Sequence, residues 1–67
     1  MYAKYVALRD EQRLNDNQVA IAAGIERSTL ADWKSGRSTP KLEKLAKISN
    51  VLGVPLEYWI EGETNES

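Results

Sequence analysis

The sequence predicts an all-α fold in which five short helices share one core. Apolar residues recur every three or four positions, most regularly at Leu45, Ile48 and Leu52, which is the period of an amphipathic helix. Glycines and prolines interrupt these runs at the spacing expected of short helices. No segment alternates apolar and polar residues for long enough to form a β-strand. With 67 residues, the chain is expected to be one domain near the lower size limit for folding without crosslinks.

Helix 1 is predicted from about Tyr2 to Arg13. Tyr5 and Leu8 face inward at helical spacing, and either Val6 or Gln12 extends the same face. Helix 2 is predicted over about residues 16–23. It has a good N-cap residue just before it and an acidic residue in its first turn, which are Asn15 and Asp16.

Helix 3 is predicted to begin near Arg27 and to end before Gly36, a typical glycine C-cap. Either Glu26 or Ser28 is expected to cap its start. Its inward positions are Leu30 and Trp33.

Helix 4 is predicted to start at about Pro40 or Lys41, with proline tolerated in the first turn, and to end at Gly53. Its apolar face is predicted to comprise Leu42, Leu45, Ile48 and Leu52, with Ala46 and Val51 beside them. Pro55 then opens a short fifth helix that holds Leu56, Trp59 and Ile60. Residues 1–62 form the predicted domain, and residues 63–67 form an acidic tail that we expect to be disordered.

The composition excludes several classes of protein. The chain has no cysteine and no histidine, so it offers no disulfide, no thiolate metal site and no histidine base. Because no nucleophile, base and orienting group converge, we expect neither an enzyme nor a cofactor or metal. The N-terminus does not resemble a signal peptide, and no run approaches the ~18 apolar residues of a membrane span. We therefore expect a cytoplasmic protein, encoded by a bacterium or a phage, with no membrane partner.

The charge is distributed unevenly along the chain, although the net charge is only −1. Residues 27–47 contain six basic and two acidic residues, a local charge of +4, whereas residues 57–67 contain four acidic residues and no basic one, a local charge of −4. Attraction to phosphate is screened over about 8 Å at physiological salt. The local basic segment therefore allows binding to nucleic acid despite the acidic total.

The segment from residue 15 to residue 40 has the layout of a helix-turn-helix. Helix 2 places Val19, Ala20 and Ala23 on one face, and Gly24 supplies the positive φ that ends it. Helix 3 then follows within three residues. Its outward positions are polar and can reach the edges of bases in a major groove. Together, the turn and this polar face predict a DNA-binding protein.

Three segments carry a known pattern: LRxxxxLxDxQVAxxxGI from residue 8, STLxDWKxGxSTPKLxKLxKI from residue 28 and LGVxxxYxxxGE from residue 52. By these motifs, the chain resembles the phage repressor and Cro class of helix-turn-helix proteins, often called the XRE family, and particularly its small prophage-type members. The resemblance covers about residues 5 to 63. It implies a five-helix, lambda-repressor-like fold with helix 3 in the major groove, and a homodimer on a palindromic operator in double-stranded DNA.

The chain departs from many relatives at two positions. They place Gln in the first turn of helix 2 and Glu after the aromatic residue of helix 3, where this chain has Asp16 and Lys34. A salt bridge from Arg9 to helix 3 is therefore not expected. Lys34 instead becomes a candidate phosphate contact.

Arg27 is the first candidate for reading a base, because its planar guanidinium matches O6 and N7 of guanine. The alternatives are a solvated arginine or an intrahelical partner for Glu26 or Asp32. Four other side chains near the start of helix 3 are candidates for base or phosphate contact, with capping or solvation as the alternative: Glu26, Ser28, Thr29 and Asp32.

Phosphate contacts are expected from two further places. The start of helix 2, where backbone N–H groups favour an anion, contributes Asn15, Asn17 and Gln18, for which capping is the alternative. The loop after helix 3 contributes Ser35, Arg37, Ser38 and Lys41, for which an ordinary polar loop is the alternative. Lys44 and Lys47 are interpreted as surface residues that add only long-range attraction.

Trp33 and Trp59 are interpreted as core residues, whereas Tyr58 and Ile60 are placed near a dimer contact. The function predicted is a sequence-specific transcriptional regulator, most simply a repressor that occludes a promoter and needs no small-molecule effector. The competing hypothesis is an antitoxin-like protein-interaction module without sequence-specific DNA binding. An apolar groove on helices 3 to 5 would favour that alternative.

Overall fold

The fold is a bundle of short α-helices, seen in a computed structural model that describes residues 2–59. Four helices are complete: α1 Tyr2–Glu11, α2 Asp16–Ala23, α3 Arg27–Ser35 and α4 Leu42–Leu52. Residues 57–59 are helical as well and make up the described part of α5. No β-strand occurs within residues 2–59, so the prediction of an all-α fold with five helices is confirmed. The predicted acidic tail and Ile60 lie outside the described residues.

Two of the predicted helix ends are wrong by one or two residues. α1 ends at Glu11 rather than at Arg13, because Arg13 adopts a left-handed backbone conformation with φ of 60°. α4 begins at Leu42 rather than at Pro40 or Lys41. Lys41 has an extended backbone and acts as the N-cap, since its carbonyl oxygen accepts the bond from Leu45 N at 2.9 Å.

Among the described residues, the core contains nine buried apolar residues contributed by all five helices: Tyr5, Val19, Ala20, Leu30, Trp33, Leu45, Ile48, Leu52 and Trp59. Trp33 lies at its centre, stacked on Tyr5 at 5.1 Å between ring centroids and edge-on to Trp59 at 6.0 Å. The predicted placement of both tryptophans in the core is thus confirmed. Burial of these large aromatic surfaces is the main favourable contribution to folding in so short a chain.

Leu42 is a correction to the predicted apolar face of α4. It is 61% exposed, whereas Leu45, Ile48 and Leu52 are buried. Leu42 has the helical spacing of the buried positions, but it is the first residue of α4. At this end of the helix, the side chain lies beyond the core. Ala46, placed beside this face, is exposed as well.

Polar side chains fasten the ends of the helices to one another. Gln12 is exposed rather than turned into the core, and its Nε2 donates to Leu52 O at the end of α4 at 2.8 Å. Lys4 Nζ donates to Tyr58 O at 2.6 Å, and Trp59 Nε1 donates to Ser49 Oγ at 2.5 Å. The bonds to Tyr58 and from Trp59 hold α5 against α1 and α4, and the bond from Gln12 joins the ends of α1 and α4.

All four complete helices end in the same hydrogen-bonded turn, in which an N–H beyond the helix returns to a carbonyl five residues earlier. The pairs are Leu14 to Arg9, Ile25 to Ala20, Arg37 to Asp32 and Val54 to Ser49. The turn requires a residue of positive φ. Three helices place a glycine there, whereas α1 places Arg13.

We expect Arg13→Gly to stabilise the protein. A left-handed conformation costs an L-residue about 1–2 kcal/mol, and glycine avoids this cost. Part of the resulting gain in stability is lost because glycine is more flexible in the unfolded chain. The free energy of unfolding, measured by urea denaturation, should therefore rise by about 0.5–1 kcal/mol. Gly24→Ala, which introduces a side chain at φ of 71°, should lower it. A variant Arg13→Gly that is less stable than the parent would contradict this account of the turn.

Candidate nucleic-acid interface

The outer face of α3 is polar and accessible. Leu30 and Trp33 point into the core, and the intervening side chains remain at the surface. Of the candidates predicted on this helix, Arg27, Ser28, Lys34 and Ser35 are exposed, and Thr29 and Asp32 are half-buried. The helix therefore presents its hydrophilic side to solvent, as a reading helix must.

The turn between α2 and α3 fixes how α3 is presented. Gly24 adopts the predicted left-handed conformation, and Ile25 N donates to Ala20 O at 3.0 Å. Ile25 is half-buried and packs against the core. α3 begins only three residues after Gly24, and the first residues of α2 and α3, Asp16 and Arg27, line the same surface groove.

Two surface grooves flank the exposed face of α3. The first, here called the α2–α3 groove, is lined by Asp16, Asn17, Arg27, Ser28, Ala31 and Lys34. The second, called the α3–α4 groove, is lined by Glu26, Ser28, Thr29, Asp32, Ser38, Thr39, Pro40, Lys41 and Lys44. Ser28 contributes to both grooves, so the first turn of α3 is the ridge between them. The structure thus brings together predicted residues from α2, α3 and the following loop.

The start of α2 is closed by a reciprocal cap. Asn15 Oδ1 accepts from Gln18 N at 2.8 Å, and Gln18 Oε1 accepts from Asn15 N at 2.9 Å. The predicted N-cap role of Asn15 is confirmed. Both side chains are exposed, and this cap uses their oxygens while leaving their amide NH₂ groups available to another acceptor. Capping and phosphate contact are therefore compatible at this position.

Neither predicted cap of α3 forms. Glu26 occupies the N-cap position, but its side chain makes no capping hydrogen bond, and it instead accepts from Ser28 Oγ at 3.3 Å. Within residues 2–59, the ion pairs do not include Arg27, so the alternative in which it pairs with a neighbouring acid is not seen. Arg27 is thus an exposed cation at the leading end of α3.

The loop after α3 is ordered by its own hydrogen bonds. Ser35 Oγ donates to Asp32 O at 3.1 Å, and Arg37 N donates to Ser35 Oγ at 3.3 Å. Arg37 Nε lies 3.8 Å from Asp32 Oδ1, a long contact between a half-buried carboxylate and an exposed guanidinium. Ser38 and Lys41 follow, both exposed. The ion pair between Arg37 and Asp32 is exposed and therefore weak, and it would not prevent Arg37 from turning to a phosphate.

Two features of this surface were missed by the sequence analysis. Lys44 was interpreted as an ordinary surface residue, but it lines the α3–α4 groove. The contacts of Asp16 with α1 were not predicted: its carboxylate accepts three hydrogen bonds from that helix. The donors are Tyr5 Oη at 2.6 Å, Arg9 Nη1 at 2.7 Å and Tyr2 Oη at 3.1 Å. The helical spacing of Tyr2, Tyr5 and Arg9 was the signal that could have revealed this cluster.

The same cluster shifts the ionisation of its members. Partial burial acts to raise the pKa of Asp16, but hydrogen bonds from Tyr5, Arg9 and Tyr2 outweigh it and hold that pKa below its ordinary value. Burial, together with the bond to Asp16, raises the pKa of Tyr5 well above its usual range. Asp16 therefore remains a carboxylate at neutral pH, with Arg9 as its counterion.

Tyr58, predicted near a dimer contact, is half-buried and engaged within the chain. Lys4 Nζ lies 4.5 Å from its ring centroid, and its ring packs edge-on to Trp59 at 5.1 Å. The proposed partner position Ile60 lies outside the described residues. The dimer contact stays a prediction.

Residues 2–59 contain no group of three or more acidic, histidine or cysteine side chains that could hold a metal ion. Within the same residues, no helix is long and apolar enough to cross a membrane.

Comparison with known proteins agrees with this geometry. A family model described as helix-turn-helix matches residues 7–59. The cryptic phage CTXphi transcriptional repressor RstR of Vibrio cholerae is 37% identical over 59 residues, which make up 87% of this chain and 53% of that protein. The HTH-type transcriptional regulator YqaE of Bacillus subtilis and the immunity repressor protein of Bacillus phage phi105 are each 34% identical over 58 residues. Those residues cover 87% of this chain in both cases, and 50% and 40% of the respective relatives. The chain thus spans about half the length of these relatives or less. No solved structure matches the chain significantly.

Proposed function

The chain belongs to the helix-turn-helix family of DNA-binding transcriptional regulators, and from this premise we propose that it is a sequence-specific, phage-type repressor that inserts α3 into the major groove. Family and relatives both indicate a regulator without enzymatic activity. The observation that carries the proposal is the exposed polar face of α3, which rises between two grooves lined by polar and charged side chains.

Base reading is assigned to the first turns of α3. Arg27 is exposed at the leading end, and its paired N–H donors match O6 and N7 of guanine. Ser28 and Thr29 are placed for hydrogen bonds to bases or to the flanking phosphates. Glu26 and Asp32 lie on the α3–α4 side, where a carboxylate can accept from N4 of cytosine.

Phosphate contacts are assigned to the two sides of α3. The start of α2 and the adjacent lysine of α3 form one set, which comprises Asn15, Asn17, Gln18 and Lys34. The loop after α3 and the start of α4 form the other, which comprises Ser35, Arg37, Ser38 and Lys41. Contacts of this kind set the register of the protein on the duplex and carry no sequence information.

The proposed complex is a homodimer on a palindromic operator, with the two copies of α3 about 34 Å apart, one turn of B-DNA. Tyr58 and Ile60 are assigned to the dimer contact. Promoter occlusion needs no small-molecule effector, and it would take place in the cytoplasm, where the operator lies. The two relatives named as phage repressors support the assignment to this class of regulator.

Duplex binding at several salt concentrations tests the proposal. An operator selected by this protein from a random-sequence pool should bind with a log–log salt slope of about −4 to −6, because roughly five to seven phosphates are neutralised at −0.9 each. Lys41→Ala removes one phosphate contact from each subunit of the proposed dimer and should make the slope less negative by about 2, whereas Lys47→Ala, outside both grooves, should change it little. Absence of duplex binding even at low salt would overturn the proposal and favour the protein-interaction module.

A further inference from the structure

One groove beside α3 contains a carboxylate, which is unexpected on a surface proposed to bind DNA. Asp16 lines the α2–α3 groove together with Arg27 and Lys34, the two cations assigned to the duplex. A negative charge at this place repels phosphate and weakens the attraction that these cations supply. The effect of Asp16 on DNA binding therefore depends on whether another group neutralises its negative charge.

The compensation comes from α1. Arg9 Nη1 lies 2.7 Å from Asp16 Oδ1, and the Arg9 side chain is only 17% exposed. Two tyrosine hydroxyls, from Tyr2 and Tyr5, donate to the same carboxylate. Arg9 does not line either groove, so its charge reaches the groove through Asp16 rather than by direct contact.

We propose that Arg9 is a positioning residue for DNA binding, which acts by neutralising and holding the Asp16 carboxylate at the edge of the α2–α3 groove. The proposal rests on the proposed function, since it concerns the approach of phosphate to that groove. With Arg9 in place, the paired groups present almost no net charge beside Arg27 and Lys34. Without it, the duplex meets an uncompensated carboxylate.

Asp10 provides a matched control for this charge argument. It also pairs with Arg9, at 2.7 Å, but it is 60% exposed on α1 and does not line the α2–α3 groove. The double variants Arg9→Gln/Asp16→Asn and Arg9→Gln/Asp10→Asn both have the net charge of the parent chain, −1. They differ only in which carboxylate is removed.

The experiment measures the affinity of each variant for the operator selected by the parent protein, at low salt. Arg9→Gln should weaken binding to each half-site by roughly three- to hundred-fold, the range given by a unit charge at about 6 Å in effective dielectrics between 80 and 20. Adding Asp16→Asn should restore most of that loss, and adding Asp10→Asn should not. Equal recovery in the two double variants, or recovery in neither, would overturn the proposal.

Folding is monitored separately, because Arg9 and Asp16 also join α1 to α2. Circular dichroism and urea denaturation give the folded fraction of each variant, to which the affinity is corrected. Asp16→Asn alone, in which Tyr5 and Arg9 keep the Oδ1 acceptor and only Tyr2 loses its oxygen, should bind at least as tightly as the parent. A folded Asp16→Asn that binds more weakly than the parent would overturn the proposal even where Arg9→Gln does not fold. Failure of the parent itself to bind any duplex would instead overturn the proposed function.

Discussion

Trp33→Ala is expected to lower the free energy of unfolding by about 3–5 kcal/mol, the range for removing a large aromatic side chain from a packed core. Trp33 is 4% exposed and its ring contacts three other aromatic rings, those of Tyr2, Tyr5 and Trp59. These come from α1 and α5, while Trp33 itself belongs to α3. The substitution therefore leaves a cavity at the point where three helices meet.

A domain of 67 residues has a total stability of about 3–10 kcal/mol, at about 0.05–0.15 kcal/mol per residue. The variant should therefore lose a large part of its stability, as seen in a lower midpoint of urea denaturation followed by far-ultraviolet circular dichroism. Ile21→Ala is the control, because Ile21 is 72% exposed and its truncation should change stability by about 0.5 kcal/mol or less. A cooperative transition of Trp33→Ala close to that of the parent would contradict the central role of this side chain.

Much of the fold follows from spacing within single helices. Leu45, Ile48 and Leu52 recur at helical intervals along α4, and each is buried as predicted. Spacing alone does not tell where a helix leaves the core, and for this reason Leu42 was assigned to the buried face although it is exposed. The end of α1 was also misplaced, since the turn residue is Arg13 and not the glycine that marks the other helices.

The candidate interface could likewise be predicted only in part from the sequence. The accessible start of α3 could be predicted, because Gly24 and the polar run after it are local signals. The Asp16 cluster could not, since it depends on how α1 packs against α2 and brings Tyr5 and Arg9 to the same carboxylate. Lys44 likewise reaches the α3–α4 groove only through the path of the loop before α4.

Arg27→Ala is expected to have the largest effect on recognition. Loss of a bidentate contact to guanine should cost about 1–3 kcal/mol in each half-site, or roughly a 5- to 150-fold weaker affinity per half-site of the selected operator. Arg27 is exposed and belongs to none of the ion pairs found in residues 2–59, so its removal should not disturb the fold. Urea denaturation of the variant should accordingly match that of the parent.

The decisive measurement is binding to a panel of operators, each altered at one base pair. Arg27→Ala should lose discrimination at a single position of each half-site and keep it elsewhere, because one side chain reads one base pair. Lys34→Ala, which removes a proposed phosphate contact in the same groove, should weaken binding to all operators by a similar factor. A base-reading role for Arg27 would be excluded if its variant kept the parent's preference at every position, since the side chain would then contribute charge and no sequence information.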